Sequence, residues 1–419
     1  MTHHPEGGML GSPLELRCGV SLPNRLAKAA TSEHLADRHG APTNQLIEAY
    51  RVFASSGVGL LVTGNVMVDG AALEAARNVV IENDRHLDQL RRWAAVTQGT
   101  DTKFILQLSH PGRQTMRGNA LRGRRQAVVG PSAVSLAVGG RGVFQTPRAL
   151  ADAEVRAIIE RFALAATVAA DAGFDGAQIH AAHGYLFNQF LSPLVNHRTD
   201  GWGGSLDNRM RLLIETVRTI RARTPSQFLV SVKLNSADFQ RGGFDAQDAV
   251  SVAQALDKAG IDLLELSGGT YESSAMFIGS QQRESTIARE AYFLEFAEQV
   301  ATEVATPIML TGGFRSHAAM TAAVRSGAVD LVGLARPITY EPDLPRRLLA
   351  GTTDRSLVAP KVIGSKQMDN LLDIAWHQGQ IARMGRGKPV TPKRGPRVAL
   401  AIAALATLRD RALPQLAPK

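Results

Sequence analysis

The sequence predicts one closed α/β barrel of eight parallel strands, and two observations carry that reading. Short apolar runs alternate with helix-length amphipathic segments, the pattern of repeated βα units around a parallel sheet. The runs number eight, which suits closure better than an open doubly wound sheet. They are Leu26–Ala30, Gly59–Val62, Phe104–Leu108, Gly176–His180, Phe228–Leu234, Asp262–Leu266, Pro307–Leu310 and Leu331–Leu334. Helices are expected near 43–56, 85–98, 151–172, 205–223, 246–259, 290–304 and 316–326. Ser12–Pro23 reads as a hairpin closing the bottom of the barrel, and helix-length material resumes at Asp343. The expected organisation is a barrel over 1–350, a helical extension over 351–387 and a basic tail over 388–419.

Composition permits this. Hydrophobic residues make up 44% of the 419 and charged residues 20%, enough for a large core and too apolar for global disorder. The single cysteine, Cys18, rules out an intrachain disulfide and a cysteine-ligated iron–sulfur cluster, and it fits a reducing cytoplasm. MTHHPEGGML lacks the basic start and apolar core of a secretory signal, and no run approaches the ~20 apolar residues of a spanning helix, so a soluble, cytoplasmic protein is expected. The net charge of +9 would suggest an anionic partner, but nine Lys or Arg against the lone Asp410 lie between Arg383 and Lys419. The body is therefore nearly neutral, and nucleic-acid binding by it loses its support. Within the tail, Val398–Leu408 is too short to span a bilayer and suits a helix packed on the body or on another copy, which leaves room for a homo-oligomer.

In a barrel, chemistry is done at the carboxyl ends of the strands. Those ends present Ala29, Ala30 and Thr31; Gly64; Gln107 with His110; His180, His183 and Tyr185; Lys233; Thr311-Gly312-Gly313; and Leu334-Ala335-Arg336. Glycines after the seventh strand and an arginine after the eighth suit a phosphate held by backbone N–H groups and a guanidinium. The connection from Gly112 to Pro147 follows the third strand and, through Arg148, holds seven arginines and no acid; its charge suits a phosphate-bearing substrate or NADPH, against the plainer reading of a solvated loop.

The stretch Ile179-His180-Ala181-Ala182-His183-Gly184-Tyr185-Leu186 puts two imidazoles and a phenol at the end of an apolar run, a spacing suited to binding a carbonyl and donating a proton. A zinc site is disfavoured: a zincin helix needs His at i and i+4 with a neighbouring Glu, and there is no thiolate set. Asn196–Asp207 reads as a turn rich in polar residues and glycine that shapes the next helix, with Trp202 packed in it.

Over roughly 12–350 the chain resembles the Old Yellow Enzyme family of FMN-dependent NAD(P)H oxidoreductases. The resemblance rests on Asn24-Arg25 with Lys28-Ala29-Ala30, on Gln107-Leu108-Ser109-His110-Pro111-Gly112-Arg113, on the His180 to Ser205 signature, on Val232-Lys233, on Thr311-Gly312-Gly313 and on Gly333-Leu334-Ala335-Arg336-Pro337. It implies that Ala29, Ala30 and Thr31 lie against the flavin, Gly64 and Gln107 near its pyrimidine edge, and Lys233 beside N1 and O2. It further implies that Gly312, Gly313, Ala335 and Arg336 hold the phosphate. His180 and His183 would then bind a substrate carbonyl oxygen while hydride, taken from NADH or NADPH, passes from flavin N5 to an electron-poor alkene, and Tyr185 would protonate the α carbon. No metal is implied. Thr31-Ser32 stands where one subgroup carries a redox-tuning cysteine, so that control is absent, and the cysteine count excludes the branch with a cluster. Reduction of quinones or nitro compounds is the alternative on the same barrel, and a non-catalytic binding protein with a basic tail is the alternative outside enzymology.

Overall fold

The computed structural model describes residues 8–121, 123–136, 144–268, 293–360 and 366–392, together with the single residues 395, 398 and 401. The eight expected strands are all present: β1 (Leu26–Lys28), β2 (Leu60–Met67), β3 (Lys103–Ser109), β4 (Gly176–Ala181), β5 (Leu229–Asn235), β6 (Leu263–Ser267), β7 (Ile308–Thr311) and β8 (Leu331–Leu334). Each pairs in parallel with its sequence neighbours, and β8 closes on β1, so the sheet is a (β/α)8 TIM barrel. Outside it lie α1 (Asn44–Ala54), α2 (Leu87–Ala94), α3 (Asp152–Asp171), α4 (Leu186–Leu191), α5 (Leu206–Arg223), α6 (Ala246–Ala259), α7 (Leu294–Ala301), α8 (His317–Arg325), α9 (Arg336–Tyr340), α10 (Leu344–Leu349) and α11 (Lys366–Met384). The first strand stops two residues short of the expected Ala30, whose backbone turns into the loop above.

Local chemistry sets the helix ends. Thr43, Ser205, Asp245 and Ser316 accept from the backbone N–H three residues on, satisfying donors that an N-terminal turn leaves open, and Gly260 closes α6 at φ 83°. Along α3, Val155, Ile158, Ile159, Phe162, Ala166 and Ala169 recur at helical spacing and are buried.

Period-two alternation sorts the strand residues. Val230, Val232 and Leu234 of β5 join the layer between barrel and helices, while Leu229 points into the barrel, and Ser231, Lys233 and Asn235 follow it by parity. Ala27, Leu60, Ile105, Leu229, Leu263, Met309 and Leu331 fill the lower interior, under Leu14, Leu16 and Leu22 of the antiparallel hairpin formed by 14–15 and 21–22, where the sequence places it. The β2–β3 register slips between Val62 and Asn65, a bulge that re-aims the end of β2.

Beyond β8, α11 packs on the barrel's outer helices: Gln45 Nε2 donates to Ala382 O at 2.8 Å, and buried Trp376 lies 5.4 Å from the Tyr340 ring. The expected basic tail and the run Val398–Leu408 lie largely outside the described residues. Among the described residues no helix is long and apolar enough to cross a membrane.

Candidate active site

Two adjoining cavities open at the carboxyl ends of the strands. One of about 110 Å3 is lined by Ala30, Thr31, Ser32, Asn65, Gln107, His180, His183, Tyr185 and Lys233. The other, about 340 Å3, shares Ala30, His183 and Lys233 and runs past Gly312 and Gly313 to Ala335 and Arg336. The nine residues lining the smaller cavity come from five different chain stretches, which is why only the closed barrel brings them together.

Strand register builds the polar ring at its heart. Lys233 of β5 is paired with Glu265 of β6 on one side and His180 of β4 on the other, and Gln107 of β3 with Gln178 of β4. Gln107 Nε2 donates to Gln178 Oε1 at 2.8 Å, Gln178 Nε2 to Glu265 Oε2 at 2.9 Å, and Lys233 Nζ lies 2.8 Å from Glu265 Oε1. A buried carboxylate and a buried ammonium are thus paired, and the carboxylate's second oxygen is satisfied by an amide.

The loop after β4 carries the imidazoles and the phenol. His183 sits at φ 59° and Gly184 at φ 77°, a left-handed pair that costs about 1 kcal/mol at the histidine. Side-chain amides offset this: Asn235 Oδ1 accepts from His183 N at 3.1 Å and Asn188 Oδ1 from Gly184 N at 2.7 Å. Tyr185 then sits at the N-cap of α4, buried, its ring centroid 4.6 Å from that of His180.

Hydrogen bonding assigns the tautomers. Asn65 Nδ2 donates to Ser32 Oγ at 3.3 Å and to Tyr185 OH at 3.4 Å, so its Oδ1, 3.0 Å from His180 Nδ1, is an acceptor. His180 Nε2 therefore accepts from His183 Nδ1 at 3.1 Å, and His183 Nε2 from Ser267 Oγ at 3.0 Å. Both rings are neutral: burial holds each well below the usual imidazole range, the neighbouring His183 adds to this at His180, and the Lys233 charge adds at both. Burial likewise takes His110 down to about 4, against the pull of Asp69 4.0 Å away.

The larger cavity fits a phosphate-bearing flavin. Gly312 (φ 145°) and Gly313 (φ 87°) adopt a turn that only glycine takes readily, with its backbone at the cavity wall, and the buried Thr311 hydroxyl at its head has no hydrogen-bond partner among the described residues. Arg336, about half exposed, faces the same space. Ala29 and Gly64 lie in the wall behind rather than on the lining. A Cβ on Gly64 would meet Glu33 Oε2 at 2.3 Å, and its N–H donates to Glu33 Oε1 at 2.7 Å. Fully buried Lys28 braces the same wall, donating to Val62 O at 2.9 Å and Ala29 O at 3.1 Å; burial pushes its ammonium down to about 8.

Other expected features fall outside the site. Trp202 is packed on α3, donating to Asp152 Oδ1 at 2.7 Å. In the arginine-rich connection, Arg124 pairs with Glu82, Arg148 with Glu154, and buried Arg113 donates to Ser135 O at 3.2 Å, and none of the three lines either cavity; Arg122 and Arg141 lie outside the described residues. Among the described residues no cluster of His, Cys, Asp or Glu is arranged to hold a metal. Asn65, Gln178, Glu265 and Ser267 are site residues that motif reading missed.

Comparison with known proteins agrees with this geometry. The sequence profile described as the NADH:flavin oxidoreductase / NADH oxidase family matches residues 10–355. The chain is 35% identical over 406 residues to the NADH-dependent flavin oxidoreductase iccE of Talaromyces variabilis, covering 90% of this chain and 98% of that one. It is 38% identical over 355 residues to the NADH-dependent flavin oxidoreductase iliE of Neonectria sp. (strain DH2), covering 80% of this chain but only 46% of that longer protein. Morphinone reductase in complex with tetrahydroNAD superposes with a TM-score of 0.66 at 26% identity, over 83% of this chain and 92% of that one. A barrel with a phosphate-suited turn at β7–β8, matched along most of its length, thus belongs to the NADH:flavin oxidoreductase / NADH oxidase family, the Old Yellow Enzyme family of FMN-dependent NAD(P)H oxidoreductases.

Proposed function

We propose that this chain reduces the activated C=C bond of α,β-unsaturated carbonyl compounds, with Tyr185 as proton donor and His180 and His183 as the pair that binds the carbonyl oxygen. The observation that carries the reading is the convergence of these three side chains with Lys233 on one small cavity. Ala30, Thr31, Gln107 and Lys233 would hold the flavin ring, with Ala29 and Gly64 supporting the wall, and Gly312, Gly313, Ala335 and Arg336 the phosphate. Bound FMN supplies hydride transfer from NADH or NADPH to the acceptor. The barrel of 1–350 carries this chemistry, and the 351–387 extension contributes α11 to the phosphate end.

Substrate binding makes a specific demand on the histidines. The N–H of His180 is spent on Asn65 and that of His183 on His180, so an incoming oxygen must replace His180 Nε2 as the acceptor of His183 Nδ1–H. For His180 to donate as well, its proton must move to Nε2 while Asn65 turns its amide to donate to Nδ1. Two neutral N–H donors aimed at an oxygen that gains charge in the transition state lower the barrier more than they tighten ground-state binding. Tyr185, hydrogen-bonded to Asn65, is held by the same amide and so sits in register with the oxygen-binding pair.

Tyr185→Phe should slow reduction of a cyclic enone by about 100-fold or more while leaving the rate of anaerobic flavin bleaching by NAD(P)H unchanged. Stopped-flow absorbance separates the two half-reactions. Equal slowing of both removes Tyr185 from the donor role, and a full rate with quinones but none with enones favours the quinone-reductase reading.

A further inference from the structure

Helix α11 begins at Lys366, beyond the end of the family match at 355, yet it forms one wall of the larger cavity through Asp373, Ile374 and His377. Asp373 is nearly buried, and its Oδ2 accepts from Arg336 Nη1 at 3.2 Å. An anion therefore already sits on the guanidinium that the phosphate needs. The carboxylate's other oxygen, Oδ1, lies 3.7 Å from His377 Nε2. His377 is oriented from α9: Thr339 gives its one hydroxyl proton to Arg336 O, so His377 Nδ1 is the donor toward Thr339 Oγ1, and a neutral ring then turns the Nε2 lone pair toward Asp373, an approach that is not a hydrogen bond.

We propose that Asp373 is a resident anion of the phosphate subsite: it occupies Arg336 in the flavin-free chain and yields it to the FMN phosphate on loading. This rests on the reading of Arg336 as a phosphate ligand. Arg336 is half exposed and bonded to Asp373 through a single N–H, whereas a phosphate takes two in a bidentate fork and brings more charge, so the exchange favours the phosphate. Asp373 is a positioning residue whose cost is charged only against ligands that carry a phosphate. It holds Arg336 in place before loading and sets how much phosphate charge the subsite demands.

The test is the dissociation constant of the full-length apoprotein for FMN and for riboflavin, read by quenching of flavin fluorescence, in wild type, Asp373→Asn and Asp373→Glu. Asparagine keeps the shape and removes the competing charge, so FMN should bind about three- to five-fold more tightly while riboflavin, which has no phosphate, is unchanged. Asp373→Glu keeps the competitor and should stay near wild type for both ligands. Weaker FMN binding by Asp373→Asn, or equal changes for FMN and riboflavin, overturns the exchange and leaves Asp373 a structural partner of α11. If wild type binds FMN no better than riboflavin, the phosphate reading of Arg336 fails with it. A misfolded Asp373→Asn is recognised by loss of riboflavin binding, and Arg336→Met then decides: the exchange requires it to lower FMN affinity toward that of riboflavin, and undiminished FMN affinity overturns it.

Discussion

The lower and upper halves of the barrel interior come from the same strands and solve opposite problems. Below, Ala27, Leu60, Ile105, Leu229, Leu263, Met309 and Leu331 pack against the hairpin leucines with no charge among them. Above, two to six residues further along β3, β4, β5 and β6, stand Gln107, Gln178, His180, Lys233, Asn235, Glu265 and Ser267. The lower layer gains free energy from burial, roughly 1.5–3 kcal/mol for each fully buried Leu. The upper layer gains little, because its charges must be desolvated before they pair. Stability is thus concentrated at one end of the strands, and the other end is free to keep a buried cation, two neutral imidazoles and a phenol around a cavity. A recess of about 570 Å3 on the bottom face, lined by Val20, Phe174 and Phe228 together with Asp101, Lys103 and Asp175, is larger than either upper cavity, but no imidazole or phenol lines it.

Breaking the upper ion pair should have the largest effect. Lys233→Met leaves Glu265 buried with half its partners gone, and should cost about 3–5 kcal/mol in urea unfolding. Adding Glu265→Gln removes the orphaned charge while keeping an acceptor for Gln178, and should restore most of the stability without restoring FMN affinity. If the double variant regains both, the cation serves the fold and not the cofactor. The matching change below, Leu263→Ala, should cost about 2–5 kcal/mol through the cavity it opens, with FMN affinity unaltered at temperatures where the chain is folded. A loss of affinity there would mean that the two halves are mechanically coupled.

The lower half was the more legible. All eight strands follow from their apolar runs, because burial on both faces writes continuous hydrophobicity into the chain. The upper half was read in part. His180, His183, Tyr185 and Lys233 stand in recognisable stretches, but Gln178 and Glu265 are visible only by counting two residues back from His180 or across to the facing strand, which requires the register. Asn65 was hidden altogether, since the alternation set by Leu60 and Val62 would point it outward and only the bulge after Val62 turns it inward. Asp373 was invisible for another reason: α11 comes from far along the chain, and nothing in its own pattern says that it returns to the β8 end. Gly64 reads as a cofactor contact in sequence, whereas the space it leaves open is filled by Glu33 of its own chain.

The smallest effect separates the halves by their response to acid. His110 lies at the upper end of β3, fully buried, its proton affinity lowered to about 4 against about 6.5 in an unfolded chain. Between those values the unfolded chain binds a proton that the folded chain refuses, so this contribution is fully present above pH 6.5 and is lost as pH falls toward 4. His180 and His183 shift in the same direction and add to the loss. His110→Asn keeps an acceptor for the Gly112 N–H, which now bonds Nδ1 at 3.1 Å, and removes one titrating group. Urea midpoints measured from pH 7 to 4.5 should then fall less steeply than in wild type, by up to about 1.4 kcal/mol per pH unit. Leu263→Ala should lower every midpoint and leave the slope unchanged, because the lower layer holds nothing that titrates between pH 7 and 4.5. An unchanged slope in His110→Asn would show that His110 takes up its proton without unfolding the chain, and would move the acid sensitivity of the upper half to the His180–His183 pair.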